Sequence, residues 1–152
     1  IEALIPADPT TKIPGLILRC YDEFVEEIRT HIAHENEGLF DEHLPAVRKL
    51  YAEKAKVMLD SLEEYMPKDP RISWTKPTGG MFIWLNLPEG LDSADLMKKV
   101  LASDVPVGFV PGMAFYTDNP EVNHCRLSFV TVPSEKIRAG VKSLAEALKT
   151  FL

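Results

Sequence analysis

The chain has 152 residues, a length suited to one domain or at most two. Hydrophobic residues make up 45% and charged residues 26%, which excludes a disordered or fibrous protein. Seventeen Lys and Arg against 23 Asp and Glu leave a net charge of -6, with no dense cationic stretch to neutralise phosphates, so nucleic acid is not expected as a partner. No apolar run approaches the roughly 20 residues that cross a bilayer, so no membrane partner is expected either. Ile1-Glu2-Ala3-Leu4-Ile5-Pro6 lacks the charged start and longer apolar core of a signal peptide. Cys20 and Cys125 are the two cysteines, too few for a disulfide framework or, by themselves, a zinc site. The expectation is a soluble, cytoplasmic domain.

Residues 1–15 hold Pro6, Pro9, Pro14 and Gly15 and read as an irregular arm, because proline removes backbone donors and disfavours helix before it. A helix is expected over 16–33, then a polar break at His34-Glu35-Asn36-Glu37-Gly38. From Leu39 the apolar positions Phe40, Leu44, Val47, Tyr51, Ala55, Met58, Leu62 and Tyr65 recur every three or four residues, one face of a long helix. Pro45 fits its first turns, Pro67 and Pro70 stop it, and Glu53, Lys54, Lys56 and Asp60 are assigned to its wet side.

The period then changes. Ile72-Ser73-Trp74-Thr75-Lys76 alternates like a half-buried strand, and Pro77-Thr78-Gly79-Gly80 is a turn. Met81-Phe82-Ile83-Trp84-Leu85-Asn86-Leu87 reads as a strand covered on both faces, paired antiparallel with the first. Asp92 can cap a short helix running to Ser103, with Asp95 near its positive end. Third and fourth strands are expected over 107–110 and 124–131, and a last helix starts at Pro133 with Ile137, Val141, Leu144 and Leu148 on its buried stripe. Gly140 inside that helix predicts a close contact with the sheet, since glycine there costs about 1 kcal/mol relative to alanine. Four strands and helices with apolar stripes imply an α+β fold, a two-layer sandwich of a small, mostly antiparallel sheet covered by helices.

Arg126 is the most informative residue for chemistry. It lies mid-strand, pointing away from the face of Cys125, Leu127 and Phe129. A charge placed in an apolar strand calls for a partner, and the planar guanidinium fork matches a carboxylate. That carboxylate could belong to a ligand or to an Asp or Glu of the same domain. His31, His34 and Glu35 have the spacing of a metal pair, but no third ligand is marked out, and no metal is expected. His43 and His124 suit surface roles. Cys125 adjoins His124 and Arg126 but faces the other way, so it reads as inert. Phe82, Trp84, Phe109 and Phe115 read as core rather than as a stacking platform. No nucleophile elbow, Walker loop or dinucleotide fingerprint occurs, so the residues yield no self-sufficient catalytic centre.

Three segments occur in an order and spacing that is familiar: Lys76-Pro77-Thr78-Gly79-Gly80-Met81-Phe82-Ile83-Trp84-Leu85, Val107-Gly108-Phe109-Val110-Pro111-Gly112-Met113-Ala114-Phe115, and Arg126-Leu127-Ser128-Phe129. Together they resemble the C-terminal small domain of class I/II, fold type I aminotransferases, which use pyridoxal phosphate. The nearest look is to the aminoadipate, aromatic and kynurenine branch, shared with MocR-type regulators. Gly38-Leu39-Phe40-Asp41-Glu42-His43-Leu44 resembles the family's lead into this domain, so residues 35–152 are read as the small domain and 1–34 as an arm and helix that match poorly.

The resemblance implies that Arg126 grips the α-carboxylate of an amino-acid or 2-oxo-acid substrate. It implies further that Gly79, Gly80 and Phe115 lie near the substrate at a domain interface. It also implies what is missing: a large domain with the Schiff-base lysine, the aspartate under the pyridine nitrogen and the phosphate loop. Thr10-Thr11-Lys12-Ile13-Pro14-Gly15-Leu16 lacks the arginine and glycine that follow the family's lysine, so Lys12 is not expected to serve. The expectations are therefore a substrate-binding domain without catalytic or cofactor-binding residues of its own, carrying no pyridoxal phosphate and inactive by itself, from a homodimeric parent enzyme. Two alternatives stand beside it: the effector domain of a MocR-type regulator, and a non-catalytic module that self-associates.

Overall fold

The structure is a computed structural model and describes residues 38–152, with the side chains of 39–41 left aside. The expected arm over 1–15, the helix over 16–33, Lys12, Cys20 and the His31, His34 and Glu35 group lie outside the described residues. The chain divides into two compact units, Ile1–Ala46 and Val47–Leu152, and the fold set out below is that of the second.

Helix α1 spans Leu39–Tyr65 with Pro45 inside it, as the three-four spacing requires. Strands β1 (Ser73–Trp74) and β2 (Phe82–Asn86) follow, then α2 (Ser93–Leu101), β3 (Val110–Pro111), a 3-10 turn at Gly112–Phe115, β4 (His124–Ser128) and α3 (Ser134–Leu148). The four strands form one sheet in the order β1-β2-β4-β3, every neighbouring pair antiparallel. Helices and sheet make the expected α+β layers. α2 is capped as its sequence dictates, with the Asp92 carboxylate accepting the Ala94 N–H at 2.7 Å.

The core lies between the helices and one face of the sheet. Ile83 and Leu85 of β2 and Cys125 and Leu127 of β4 point into it, meeting Met58 and Leu62 of α1, Leu96 and Val100 of α2, and Ile137, Val141, Leu144 and Leu148 of α3. Fully burying each leucine or isoleucine contributes about 1.5–3 kcal/mol. Gly140 does make a close approach, but to the segment that leads to β3 rather than to the sheet itself: a Cβ there would sit 3.3 Å from Val107 Cγ2.

Several sequence expectations are corrected. β2 is covered on one face only: Ile83 and Leu85 are buried, whereas Phe82 is exposed and Trp84 and Asn86 are half-buried. β3 forms later than expected, because Val110 and Pro111 are the residues opposite Arg126 and Cys125, while Val107 packs on α3 instead. β4 ends at Ser128, since its partner β2 begins at Phe82; the Phe129 N–H makes one last bond, to Met81 O at 3.3 Å. β1 shortens to two residues for the same kind of reason, with Thr75 still bonded to Trp84 O. Lys54 leaves the wet side of α1, its ammonium donating to Val130 O at 2.7 Å and tying the helix to the segment after β4.

Candidate functional site: an arginine on an aromatic face

The side of the sheet away from the core carries Phe82, Trp84 and Asn86 from β2 and His124, Arg126 and Ser128 from β4, which alternate with the buried positions. Arg126 lies at the centre, directly opposite Trp84 on one side and Val110 on the other. Its guanidinium carbon sits 3.9 Å from the centre of the Phe82 ring and 4.8 Å from that of Phe115. Such contacts hold a cation by the negative faces of the rings. Its Nε is buried and has no hydrogen-bond partner. A buried N–H left unpaired costs about 1–3 kcal/mol, a cost that an acceptor reaching it would relieve.

Of the two partners left open by the sequence, the internal one does not form among the described residues. Their ion pairs join other groups, such as Lys56 with Asp60, Arg71 with Asp69 and Arg138 with Glu64. The Arg71 guanidinium hydrogen-bonded to Asp69 holds that carboxyl down at about 2, a local surface pairing away from Arg126.

The aromatic residues form a connected set. Trp84 meets Phe115 edge-on at 5.6 Å and stacks on His124 at 5.8 Å, and His124 stacks on Tyr116 at 6.2 Å. Phe82, Trp84 and Phe115 are therefore a stacking platform, contrary to the core reading; Phe109 alone of the four is core. His124 is corrected as well. It is half-buried, with Nδ1 3.0 Å from Asn86 Oδ1 and Nε2 2.6 Å from Glu121 Oε2. Asn86 donates through Nδ2 to Ser73 Oγ, which turns its Oδ1 toward the ring. Both ring nitrogens thus face oxygen acceptors. Glu121 also accepts from the Tyr116 hydroxyl at 3.1 Å. The bonds from His124 and then Tyr116 draw the Glu121 carboxyl below its usual range, and burial followed by the Glu121 bond raises the Tyr116 hydroxyl.

Among the predicted site residues, the structure brings Phe115 onto Arg126, whereas Gly79 and Gly80 lie exposed in the turn that feeds Phe82. Gly80 has φ 81°, a conformation natural to glycine. Sequence reasoning missed Asn86, Tyr116, Glu121 and the buttressing part of His124. The usable signal was the two-residue step from His124 to Arg126, which puts both on one face. Cys125 is inert as expected: burial pushes its thiol up to about 12.

Comparison with known proteins decides the kinship. No family model matches the chain. It is 45% identical over 112 residues to aromatic-amino-acid aminotransferase 1 of Thermococcus litoralis, covering 74% of this chain and 26% of that protein. Over this stretch the chain is homologous to pyridoxal-phosphate-dependent aminotransferases. The multiple substrate aminotransferase of Thermococcus profundus superposes with a TM-score of 0.71 at 44% identity, over 78% of this chain and 28% of that one. The α-aminoadipate aminotransferase LysN of Thermus thermophilus, solved with N-(5'-phosphopyridoxyl)-L-leucine, gives 0.71 at 39% over 78% of this chain and 30% of that one. The same stretch matches HTH-type transcriptional regulators, among them YisV of Bacillus subtilis at 26% over 117 residues, 77% of this chain and 23% of that protein. The chain spans 26% and 30% of the length of the first two curated aminotransferases it matches.

None of the sheet positions on the Arg126 face is a lysine to form the imine or an acid to pair with the pyridine nitrogen. What that face offers is a cation with an unpaired donor, suited to a carboxylate.

Proposed function

We propose that this chain is the substrate-carboxylate-binding small domain of a pyridoxal-phosphate-dependent amino-acid aminotransferase, occupying residues 35–152. The observation that carries the reading is the buried, unpartnered Nε of Arg126 on an aromatic face. Every amino acid and 2-oxo acid in a transamination carries a carboxylate, so one guanidinium serves both half-reactions. Arg126 binds and orients that group, Phe82 and Phe115 fix the guanidinium plane, and the face as a whole excludes water when a second domain closes on it. Gly79 and Gly80 allow close approach at that boundary.

The cofactor and its lysine belong to a large domain outside the described residues, the parent enzyme is a cytoplasmic homodimer, and this chain by itself binds no pyridoxal phosphate and turns over no substrate. The homology to aminotransferases and the pairing of Arg126 with rings rather than with an acid support this reading. Borohydride reduction of the full chain with pyridoxal phosphate, followed by peptide mapping, tests it. Scattered trace labelling of surface lysines is expected, together with no transamination. Stoichiometric label at one lysine, or measurable turnover, sinks it.

The match to HTH-type regulators favours a second reading, an effector domain that binds an amino acid through the same arginine. A helix-turn-helix segment upstream of this sequence in its gene decides for that reading.

A further inference from the structure

The 3-10 turn that carries Phe115 packs at both ends against one residue, His124. At its start, Gly112 lies so close to His124 that a Cβ there would fall 2.6 Å from His124 Cβ and 2.9 Å from its carbonyl oxygen. Just past its end, Tyr116 stacks on the His124 ring and hydrogen-bonds to Glu121, whose same oxygen meets His124 Nε2. His124 in turn cannot rotate freely, because Asn86 holds its other nitrogen and Trp84 also stacks on its ring. Phe115 is left between two fixed points, with its ring against Trp84 and over Arg126.

We propose that His124 and Glu121 are positioning residues for the substrate clamp: they seat the Gly112–Phe115 turn and thereby hold Phe115 over the Arg126 guanidinium. The inference rests on the carboxylate-binding reading of Arg126 and adds to it the part that sets how well the clamp is preorganised. A guanidinium fixed between two rings loses less freedom on meeting a planar acid than one swinging in water. Glu121 is the control point, since its single oxygen joins the imidazole and the phenol and it is otherwise exposed to solvent. The groups facing His124 are Glu121, Tyr116, Asn86 and Trp84, with Gly112 beneath it.

The test uses the full chain labelled with 15N, with the Arg126 Nε–H resonance assigned through Arg126→Lys and pyruvate as the probe. In the unaltered protein this resonance is expected to be ring-shifted by Phe82 and Phe115 and to move on adding pyruvate. Glu121→Ala is expected to relax the ring shift, speed exchange of the Nε proton and weaken pyruvate binding by about threefold to tenfold, the coupling usual within one contact network. Glu121→Gln, which keeps an oxygen acceptor for both donors, restores most of each effect. Should Glu121→Ala leave the Arg126 resonance and the pyruvate affinity unchanged with the rest of the spectrum intact, the positioning proposal is overturned. A chain whose Arg126 resonance ignores pyruvate overturns the carboxylate reading instead, and the ring shift alone then decides the positioning. If Glu121→Ala fails to fold, Tyr116→Phe, which deletes one hydroxyl, is read in the same way.

Discussion

Arg126 stands directly across the β2–β4 ladder from Trp84, yet the ring its guanidinium covers is that of Phe82, two residues back along β2. The diagonal choice follows from reach. An arginine opposite an indole already stacked on His124 leans along the strand to the next side chain on its face. Trp84 is left free to brace Phe115 from the side.

Removing this arginine is expected to separate binding from stability. Arg126→Ala deletes a half-buried cation that satisfies no described acid and removes one unpaired buried donor, so unfolding free energy changes by less than about 1 kcal/mol. Binding of small 2-oxo acids to the chain is lost. Arg126→Lys does not rescue it, because an ammonium lacks the planar fork. Urea denaturation beside a pyruvate titration checks both halves.

The core predicts the opposite pattern. Leu144 is buried on α3 against the sheet, and Leu144→Ala is expected to cost about 2–5 kcal/mol through lost transfer and a cavity. Leu101, exposed at the end of α2, serves as the control, with Leu101→Ala within about 0.5 kcal/mol. Chemical denaturation of both variants gives the comparison.

Asp92 makes a local, separable contribution. Its carboxylate accepts the Ala94 N–H at the start of α2, so Asp92→Ala lowers stability by about 1 kcal/mol. Asp92→Asn, which keeps an acceptor, stays close to the original. Equal losses for the two substitutions would rule out the cap as the cause.

Much of this was readable in advance, and what was not has a common cause. The long α1, the capped α2 and the stripe of Ile137, Val141, Leu144 and Leu148 depend on spacing within one segment, and they formed where the pattern put them. The open face was misread because Phe82 and Trp84 are as apolar as Ile83 and Leu85, so no polar alternation marks the side away from the core. Those rings take Arg126 and His124 as their partners, which sequence spacing does not reveal. His124 looked like a surface residue because its companion Asn86 lies 38 positions away and meets it only through the sheet register.

Gly112 tests the fit between turn and strand. Gly112→Ala forces a methyl into His124, with an expected loss of about 1–3 kcal/mol from overpacking and a changed near-ultraviolet dichroism as Trp84 and Phe115 part. Gly108→Ala, which meets nothing within 4 Å, is the matched control and leaves both properties in place.

Cys125 gives a pH dependence whose sign is fixed. Burial raises its folded value to about 12 from an ordinary 9.0, so the folded state favours the neutral thiol. Its contribution is complete below about 9 and is lost as the pH rises toward about 12, where the unfolded chain gains by ionising. Stability measured against alkaline pH therefore falls, and Cys125→Ala flattens that fall. In the folded chain, alkylation mapped to Cys125 proceeds no faster than unfolding.

The outermost strands, β1 and β3, are two residues long, and β3 includes Pro111, which has no backbone N–H to offer. A sheet margin this short and interrupted is a poor template for main-chain pairing with another polypeptide. The aromatic face can therefore remain uncovered without inviting strand-by-strand growth. Whatever lies against it must engage through side chains, an attachment that can open and close repeatedly while the ladder behind it stays intact.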